Sequence, residues 1–172
     1  DYNLNVIGIR TKDIESNKFN DFIALTYKVS DQWQLKVFSM TTDPGLYWRL
    51  RPMNIKGTAI LTPGQYRGCY KLGKHRGRYT ALVQNKPVTV YRDNDRDQTL
   101  DYDTELDSGF HGINIHRASA RHESSQVDKW SAGCQVIANP DSYDEFIELC
   151  KESVKRYGKT LTYTLLEEKD LC

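Results

Sequence analysis

Apolar and polar residues alternate along short runs through the first two thirds of the chain, which is the pattern of β-strands with one buried face. The clearest pair of runs, 21–29 and 33–41, flanks the polar stretch Ser30-Asp31-Gln32 and predicts a hairpin. Val, Ile, Thr and Tyr are concentrated in these runs, as expected of strands. Further strands are predicted at 62–70, 79–84, 87–93, 112–116 and 160–167.

One segment, after the sequence IANPDS, has helical periodicity instead. Apolar residues recur there every three or four positions, at Tyr143, Phe146, Ile147, Cys150, Val154 and Tyr157. Asn139 or Asp141 can cap its start, and Pro140 has the backbone angle of a first helical turn. Gly158 then ends the helix. We therefore expect a mainly β fold with one α-helix in the C-terminal region, and we expect Cys150 to lie in the core.

Length and charge fit one globular domain, spanning residues 1–172. Such a chain can bury a core without disulfides or metal. Its 24 basic and 23 acidic residues give a net charge of +1, so neither nucleic acid nor an anionic membrane is an expected partner. No apolar run approaches the roughly 18 residues of a membrane span. The chain begins at Asp1 without a signal region, so we expect a processed product or an excised domain.

Four cysteines are present and form no CxxC pair, which argues against a zinc or redox motif and leaves disulfides optional: Cys69, Cys134, Cys150 and Cys172. Cys134 directly follows Gly133 in the sequence KWSAGCQVIANP. It is either a buried structural thiol or a nucleophile presented by the preceding turn. A nucleophile needs a base, oxyanion donors and access to substrate. The amides of Gly133 and Cys134 are the candidate oxyanion donors.

His116 is the best candidate for the base. It lies on the predicted strand 112–116, on the same face as Asn114, with its ring positioned by that strand. His75 and His122 fall in polar stretches that we expect to be loops.

The segment from His116 to Cys134 resembles the active-site signature of the L,D-transpeptidases of the YkuD type. In that family a strand-borne histidine precedes a Ser/Thr-His-Gly-Cys sequence. Here 14 residues separate His116 from SAGC at 131–134, and LTPGQY at 61–66 is similar to the family's Thr-Pro-x-Gly turn. The resemblance spans roughly residues 20–138. The chain departs from the signature at Ala132, which replaces histidine, and at Arg117 and Gln135.

The resemblance implies a YkuD-like β-sandwich or barrel and acyl transfer on peptidoglycan stem peptides, without a cofactor or metal. Cys134 would attack the third residue's carbonyl in a tetrapeptide stem, expel D-alanine and form a thioester, with His116 as general base. An amine acceptor would make the protein a transpeptidase, and water would make it a carboxypeptidase. The expected location is the cell envelope, periplasmic or secreted, and the oligomeric state stays open.

The expected substrate-binding residues are Arg117, Ser131, Gln135 and Asn114. Arg117 can bind a substrate carboxylate or be a solvated charge at the strand edge, and the sequence leaves both readings open. The alternative from another functional class is a non-catalytic peptidoglycan-binding module on the same scaffold.

Two other sequence patterns offer alternatives to this site. Asp93, Asp95 and Asp97 mimic the first ligands of an EF-hand, but Gln98 and Thr104 stand where the loop needs Gly and Glu, so a solvated acidic loop is expected. The basic, tyrosine-flanked stretch 70–79 could hold an anionic polymer, although any long hairpin tip has this composition. The histidines and Cys134 match no zinc motif.

Overall fold

The computed structural model describes residues 1–171 and confirms the predicted class, with 44% strand and 16% helix. Cys172 lies outside the described residues. Within 1–171 the strands are β1 (Asn5–Arg10), β2 (Asp21–Val29), β3 (Gln32–Thr41), β4 (Thr58–Leu61), β5 (Gly64–His75), β6 (Tyr79–Gln84), β7 (Val88–Asp93), β8 (Leu106–Gly109), β9 (Ile115–Arg117), β10 (Gln135–Ile137) and β11 (Thr160–Glu167). The helices are α1 (Leu46–Leu50), α2 (Pro140–Tyr157) and a final 3₁₀ turn, Glu168–Leu171.

Eight strands close into a barrel in the order β1-β11-β5-β6-β9-β10-β3-β2, and a separate three-stranded sheet has the order β4-β7-β8. Two neighbouring pairs in the barrel are parallel, β1 with β11 and β9 with β10, and the remaining pairs are antiparallel. The parallel pair of β9 and β10 carries His116 and leads directly from Cys134, so it positions the candidate site.

The predicted hairpin at 21–41 is confirmed as β2 and β3. Ser30 and Asp31 form the whole turn, with φ of 50° and 61°, and Gln32 pairs with Val29 as the first residue of β3. Positive φ at both central residues is the signature of a type I′ turn, whose twist matches that of the strands.

Other strand predictions are confirmed in part. β11 matches the predicted range and β5 runs five residues further than expected, to His75. β6 and β7 are both present, but they belong to different sheets. The strand predicted at 112–116 is wrong in its bounds, because β9 covers only Ile115–Arg117. β1, β4, β8 and α1 have no counterpart in the sequence predictions.

Helix α2 begins and ends as its sequence predicts. Asn139 is the N-cap, with its side chain accepting from the amides of Asp141 and Ser142, and Gly158 follows the last turn. Cys150 is fully buried, which confirms its place in the core. Tyr157 is 54% exposed, so the apolar stripe ends one turn earlier than predicted. Within residues 1–171, α2 and the shorter helices lack the length and apolarity needed to cross a membrane.

The acidic loop after β7 is organised around a buried cation, which corrects the expectation of a wholly solvated loop. Asp93 is fully buried and pairs with the fully buried guanidinium of Arg49. Asp95 and Asp97 lie 3.3 and 3.5 Å from Nη2 of Arg49. The guanidinium of Arg49 therefore supplies the positive charge that these carboxylates face.

A second buried arginine ties the barrel to the smaller sheet. Arg10, at the end of β1, donates from Nε to Thr42 Oγ1 at 3.0 Å and from Nη2 to the carbonyl of Leu61, in β4, at 3.0 Å. Its Nε also lies 3.0 Å from Asp43 Oδ1, and both charged side chains are less than a tenth exposed. This contact fixes β4 against the barrel next to the segment that precedes Cys134.

Candidate active site

The pairing of β9 with β10 brings the predicted nucleophile and base to one face of the sheet. Val136 lies beside His116 in the parallel register, and the amide of Gln135 donates to the carbonyl of Asn114 at 2.9 Å. Because side chains alternate along extended chain, Cys134 lies on the same face as Val136, Asn114 and His116. Cys134, which directly precedes β10, therefore faces the same side of the sheet as His116 in β9.

His116 is buried and its tautomer follows from its contacts. Nδ1 lies 2.8 Å from the carbonyl oxygen of Arg117, which can only accept, so Nδ1 carries the proton and donates. The hydroxyl of Tyr79 donates to the same carbonyl at 3.2 Å and lies 3.3 Å from Nδ1. Nε2 consequently keeps its lone pair, which is the form of imidazole that accepts a proton from a thiol.

A second histidine stacks on His116. His75 is the last residue of β5 and is only 9% exposed, which corrects its expected place in a polar loop. Its ring centroid lies 4.0 Å from that of His116, at an interplanar angle of 23°. Asn114 donates from Nδ2 to His75 Nδ1 at 3.3 Å. The signal that could have found His75 is Gly77, which closes a tight hairpin and places His75 opposite Tyr79.

These surroundings fix the resting protonation states. Burial, followed by the charge of His75, lowers the pKa of His116 to about 3. Burial raises the pKa of the Cys134 thiol, although a hydrogen bond with the backbone of Asn114 opposes that effect. The resting pair is therefore a neutral imidazole and a protonated thiol, and the proton has to move as the sulfur attacks.

Cys134 is partly exposed, and its Sγ donates to the carbonyl of Gly112 at 3.3 Å. Among the hydrogen bonds within residues 1–171, none joins this sulfur to His116. Catalytic hydrogen bonds are often long in ligand-free enzymes and tighten when substrate binds.

The turn before Cys134 is held by Ser131 and by glycine at 133. Ser131 Oγ accepts from the Gly133 amide at 3.1 Å and donates to the Cys134 carbonyl at 2.7 Å. Gly133 has a φ of 123°, and a Cβ there would lie 2.5 Å from the carbonyl oxygen of Ala59. The Gly133 amide is thus already bonded, which corrects its expected role as an oxyanion donor. The Cys134 amide has no partner within residues 1–171.

Two predicted substrate-binding residues are enclosed instead. Ser131 and Gln135 are both fully buried. Gln135 donates from Nε2 to the carbonyl of Thr42 at 3.2 Å and accepts from the hydroxyl of Tyr163 at 2.8 Å. Both side chains support the Cys134 turn from within the protein, so their expected contact with substrate is corrected to a structural role.

Arg117 and Asn114 lie closer to solvent. The guanidinium of Arg117 lies 4.3 Å from the centroid of the Tyr79 ring and lines a pocket of about 470 Å³ against α2, together with Tyr143 and Lys151. No carboxylate within residues 1–171 pairs with Arg117, so its charge is available to an anion. Asn114 accepts the amide of Gln84 at 2.9 Å while its Nδ2 holds His75, which makes it a positioning residue for the histidine pair.

His111 is excluded as the base by its own contacts. Its Nδ1 accepts from Arg92 at 3.1 Å and its Nε2 donates to the carbonyl of Asp107 at 3.1 Å. The ligand-type side chains that converge within residues 1–171 are Asp93, Asp95 and Asp101, beside Arg49. The histidines and Cys134 are not part of that group.

The arrangement therefore offers a partly exposed thiol, a neutral imidazole with a fixed tautomer on the same sheet face, and a free amide at the nucleophile. These are components of cysteine-based acyl transfer. In comparisons with known proteins, no family model, curated protein or solved structure matches the chain.

Proposed function

We propose that this protein is a cysteine-dependent acyl-transfer enzyme in which Cys134 is the nucleophile and His116 the general base. The single observation that supports the proposal is the parallel register of β9 and β10, in which Val136 lies beside His116. Cys134 is two residues before Val136, so alternation of side chains puts it on the face of His116. The Nδ1 proton of His116 is fixed by the Arg117 carbonyl, so that Nε2 is left to accept. A buried histidine with this fixed tautomer suits proton transfer.

The proposed substrate is a peptidoglycan stem peptide, in the cell envelope, on the strength of the resemblance to YkuD-type L,D-transpeptidases. The sulfur of Cys134 attacks the carbonyl of the third residue and its proton passes to Nε2 of His116. The carbon–nitrogen bond to the terminal D-alanine breaks, and His116 returns the proton to the departing amine. A thioester remains on Cys134. An amine from a second stem or a water molecule then releases it.

The oxyanion formed in this step needs a donor near Cys134. The Gly133 amide is bonded to Ser131 Oγ, so the Cys134 amide is the proposed donor. Loss of one donor of this kind costs about 10²- to 10³-fold in rate in other acyl-transfer enzymes. A single backbone donor favours a slow enzyme over a fast one.

The proposal is tested by incubating the protein with tetrapeptide-bearing muropeptides and measuring released D-alanine and the intact protein mass after acid quench. We expect an acyl adduct that is absent in Cys134→Ala and formed roughly 10²- to 10⁴-fold more slowly in His116→Ala. His122→Ala is the matched control, since His122 is exposed and lies outside the site. Crosslinked product identifies a transpeptidase, and free tripeptide identifies a carboxypeptidase.

A peptidoglycan-binding module is the second candidate, and one observation favours it. The pKa shifts of Cys134 and His116 both oppose a resting thiolate, and thiolate is the reactive form of cysteine. In this case the folded protein binds muropeptides without any adduct or D-alanine release, and Cys134→Ala binds them equally well.

A further inference from the structure

A pocket of about 260 Å³ lies next to the Cys134 turn and is separate from the pocket that Arg117 lines. We call it the Ala132 pocket; its lining includes Trp48, Met53, Thr58, Arg92, Phe110 and Ala132. Ala132 is two residues before the nucleophile, and His111, also in the lining, directly precedes Gly112, whose carbonyl holds the Cys134 sulfur. Each of the two chain segments that hold the sulfur therefore contributes a neighbouring residue to the wall of the pocket.

The mouth of the Ala132 pocket is apolar and exposed. Met53 is 69% and Phe110 68% exposed, and large apolar side chains standing together at a surface commonly mark a binding site. The wall behind them is fixed, because Thr58 Oγ1 donates to the carbonyl of Trp48 at 2.7 Å and the indole of Trp48 donates to the carbonyl of Lys129 at 3.2 Å. The shape of the pocket is therefore largely formed before a ligand arrives.

The polar end of the Ala132 pocket is Arg92, which is 8% exposed. Its Nε and Nη2 both contact Asp107, at 3.0 and 2.9 Å, and Nη2 also donates to His111. Nη1 donates to the carbonyl of Gly57 at 3.2 Å. A guanidinium has five N–H groups, so one on Nη1 is left. The Asp107 carboxylate neutralises the charge, which favours an uncharged acceptor at this end.

We infer that the Ala132 pocket is the subsite for the side chain of the acyl donor, and that it takes an unbranched aliphatic chain ending in an uncharged carbonyl, such as an amide. This inference rests on the proposed acyl transfer at Cys134 and names the substrate side chain for that site. The volume is below the roughly 300 to 1,000 Å³ of pockets for drug-sized ligands, so one side chain fits and a whole peptide does not. Ala132 is then the residue that keeps the pocket open.

The test measures acylation of Cys134 by para-nitrophenyl esters, each normalised to its reaction with free N-acetylcysteine. The acyl groups are acetyl, hexanoyl, the monoamide of adipic acid and the free monoacid of adipic acid. The sulfur–carbon bond forms, the carbon–oxygen bond breaks, the thiol proton passes to His116 and nitrophenolate leaves. One nitrophenolate per protein is expected in the burst, and none in Cys134→Ala.

We expect hexanoyl transfer to be at least about tenfold faster than acetyl transfer, since each buried methylene is worth roughly fourfold. The amide-ended chain should react faster again, and the acid-ended chain should react no faster than hexanoyl. Ala132→Phe should bring the hexanoyl and acetyl rates together, because its ring occupies the space that the longer chain would fill. Ala120→Phe is the matched control, because Ala120 lines the other pocket, and it should keep the preference.

Phe110→Ala provides a second variant at an exposed position, and it should reduce the chain-length preference without affecting folding. Iodoacetamide labelling of Cys134 checks that each variant keeps an accessible thiol. The proposed subsite is wrong if the wild type transfers hexanoyl no faster than acetyl. It is also wrong if Ala132→Phe keeps the same ratio of hexanoyl to acetyl rates as the wild type. If the esters show the preference and muropeptides release no D-alanine, the subsite stands and the proposed stem-peptide substrate fails.

Discussion

At the scale of single residues, the stack of His75 on His116 decides how the site responds to acid. Both imidazoles are buried, and the positive charges of Arg76 and Arg117 also lower the pKa of His116. Two stacked imidazoles cannot both be protonated without strong repulsion. His75, whose pKa is lowered less than that of His116, takes the first proton and keeps His116 neutral.

His75→Phe should raise the pKa of His116, by roughly half a unit or more, because it keeps a stacked ring and removes the second positive charge. The measurement is an NMR titration of the His116 ring. In the wild type this ring should remain neutral down to about pH 5, well below the ordinary value of about 6.5. His75→Ala, which removes the ring and opens the site to water, should raise the pKa further.

The same shift predicts the sign of the pH dependence of stability. The pKa of His116 is lower in the folded than in the unfolded protein, so as pH falls the unfolded state binds the proton first. The free energy of unfolding therefore decreases as pH drops from about 6.5 toward 3. This loss should be smaller in His75→Phe than in the wild type. An unchanged His116 titration in both His75 variants, or an ordinary pKa in the wild type, would show that the stack does not control the base.

The sequence pointed to Cys134 because it directly follows Gly133, and to His116 because it lies in an alternating run. The resemblance to the YkuD-type signature linked the two. It missed His75 because Lys74, Arg76 and Arg78 surround it with charge, and local composition does not show that a ring between them turns inward. Ser131 and Gln135 were misassigned for a related reason. Polar residues beside a nucleophile are typical of substrate contacts, and only the three-dimensional packing shows that these two face inward.

At the scale of elements, the turn between β2 and β3 is built from residues that suit its backbone poorly. Ser30 and Asp31 both have positive φ, a conformation that costs L-residues about 1 to 2 kcal/mol and glycine very little. The side chain of Asp31 is 99% exposed, and its nearest cation, Lys28, is 3.7 Å away. A surface ion pair of this kind contributes little to stability.

Asp31→Gly should therefore raise the free energy of unfolding by about 0.5 to 1 kcal/mol, measured by urea denaturation. Asp31→Ala is the control, since it removes the same carboxylate and keeps the unfavourable conformation, and it should give no gain. Equal stabilisation by the two substitutions would mean that the charge, and not the backbone, is responsible.

Elements whose ends are marked by nearby residues could be predicted from the sequence, but the strands with which they pair could not. The cap at Asn139, the stop at Gly158 and the range of β11 follow from residues within a few positions of each boundary. The separation of β6 from β7 into two sheets depends on residues far apart in the chain. Short strands such as β4 and β8 have too few positions to show a period.

At the scale of the whole molecule, Arg10 is a buried charge that links the barrel to the smaller sheet. Arg10→Met should lower the free energy of unfolding by about 3 to 5 kcal/mol, because it leaves Asp43 buried without its cation. Burial raises the pKa of Asp43 to about 7, so this carboxyl is neutral in acid. The decrease in the free energy of unfolding caused by Arg10→Met should therefore be larger at pH 8 than at pH 5, as measured by denaturant unfolding.

Arg156→Met is the control for Arg10→Met, because Arg156 pairs with Glu152 on the exposed side of α2. It should change stability by less than about 1 kcal/mol at either pH. The double variant Arg10→Met with Asp43→Asn should recover part of the loss. A pH-independent loss in Arg10→Met would assign the effect to packing alone.

The position of β11 between β1 and β5 has a consequence for the order of events during synthesis. Until residues 160–167 leave the ribosome, β1 and β5 both present an open edge, and no other strand within residues 1–171 fills the gap in the barrel. Contacts between strands so distant in sequence form slowly, and open edges invite pairing with other chains. The nascent chain is therefore most vulnerable to aggregation just before β11 emerges, when nearly all of the apolar core of the barrel has been made and cannot yet be enclosed.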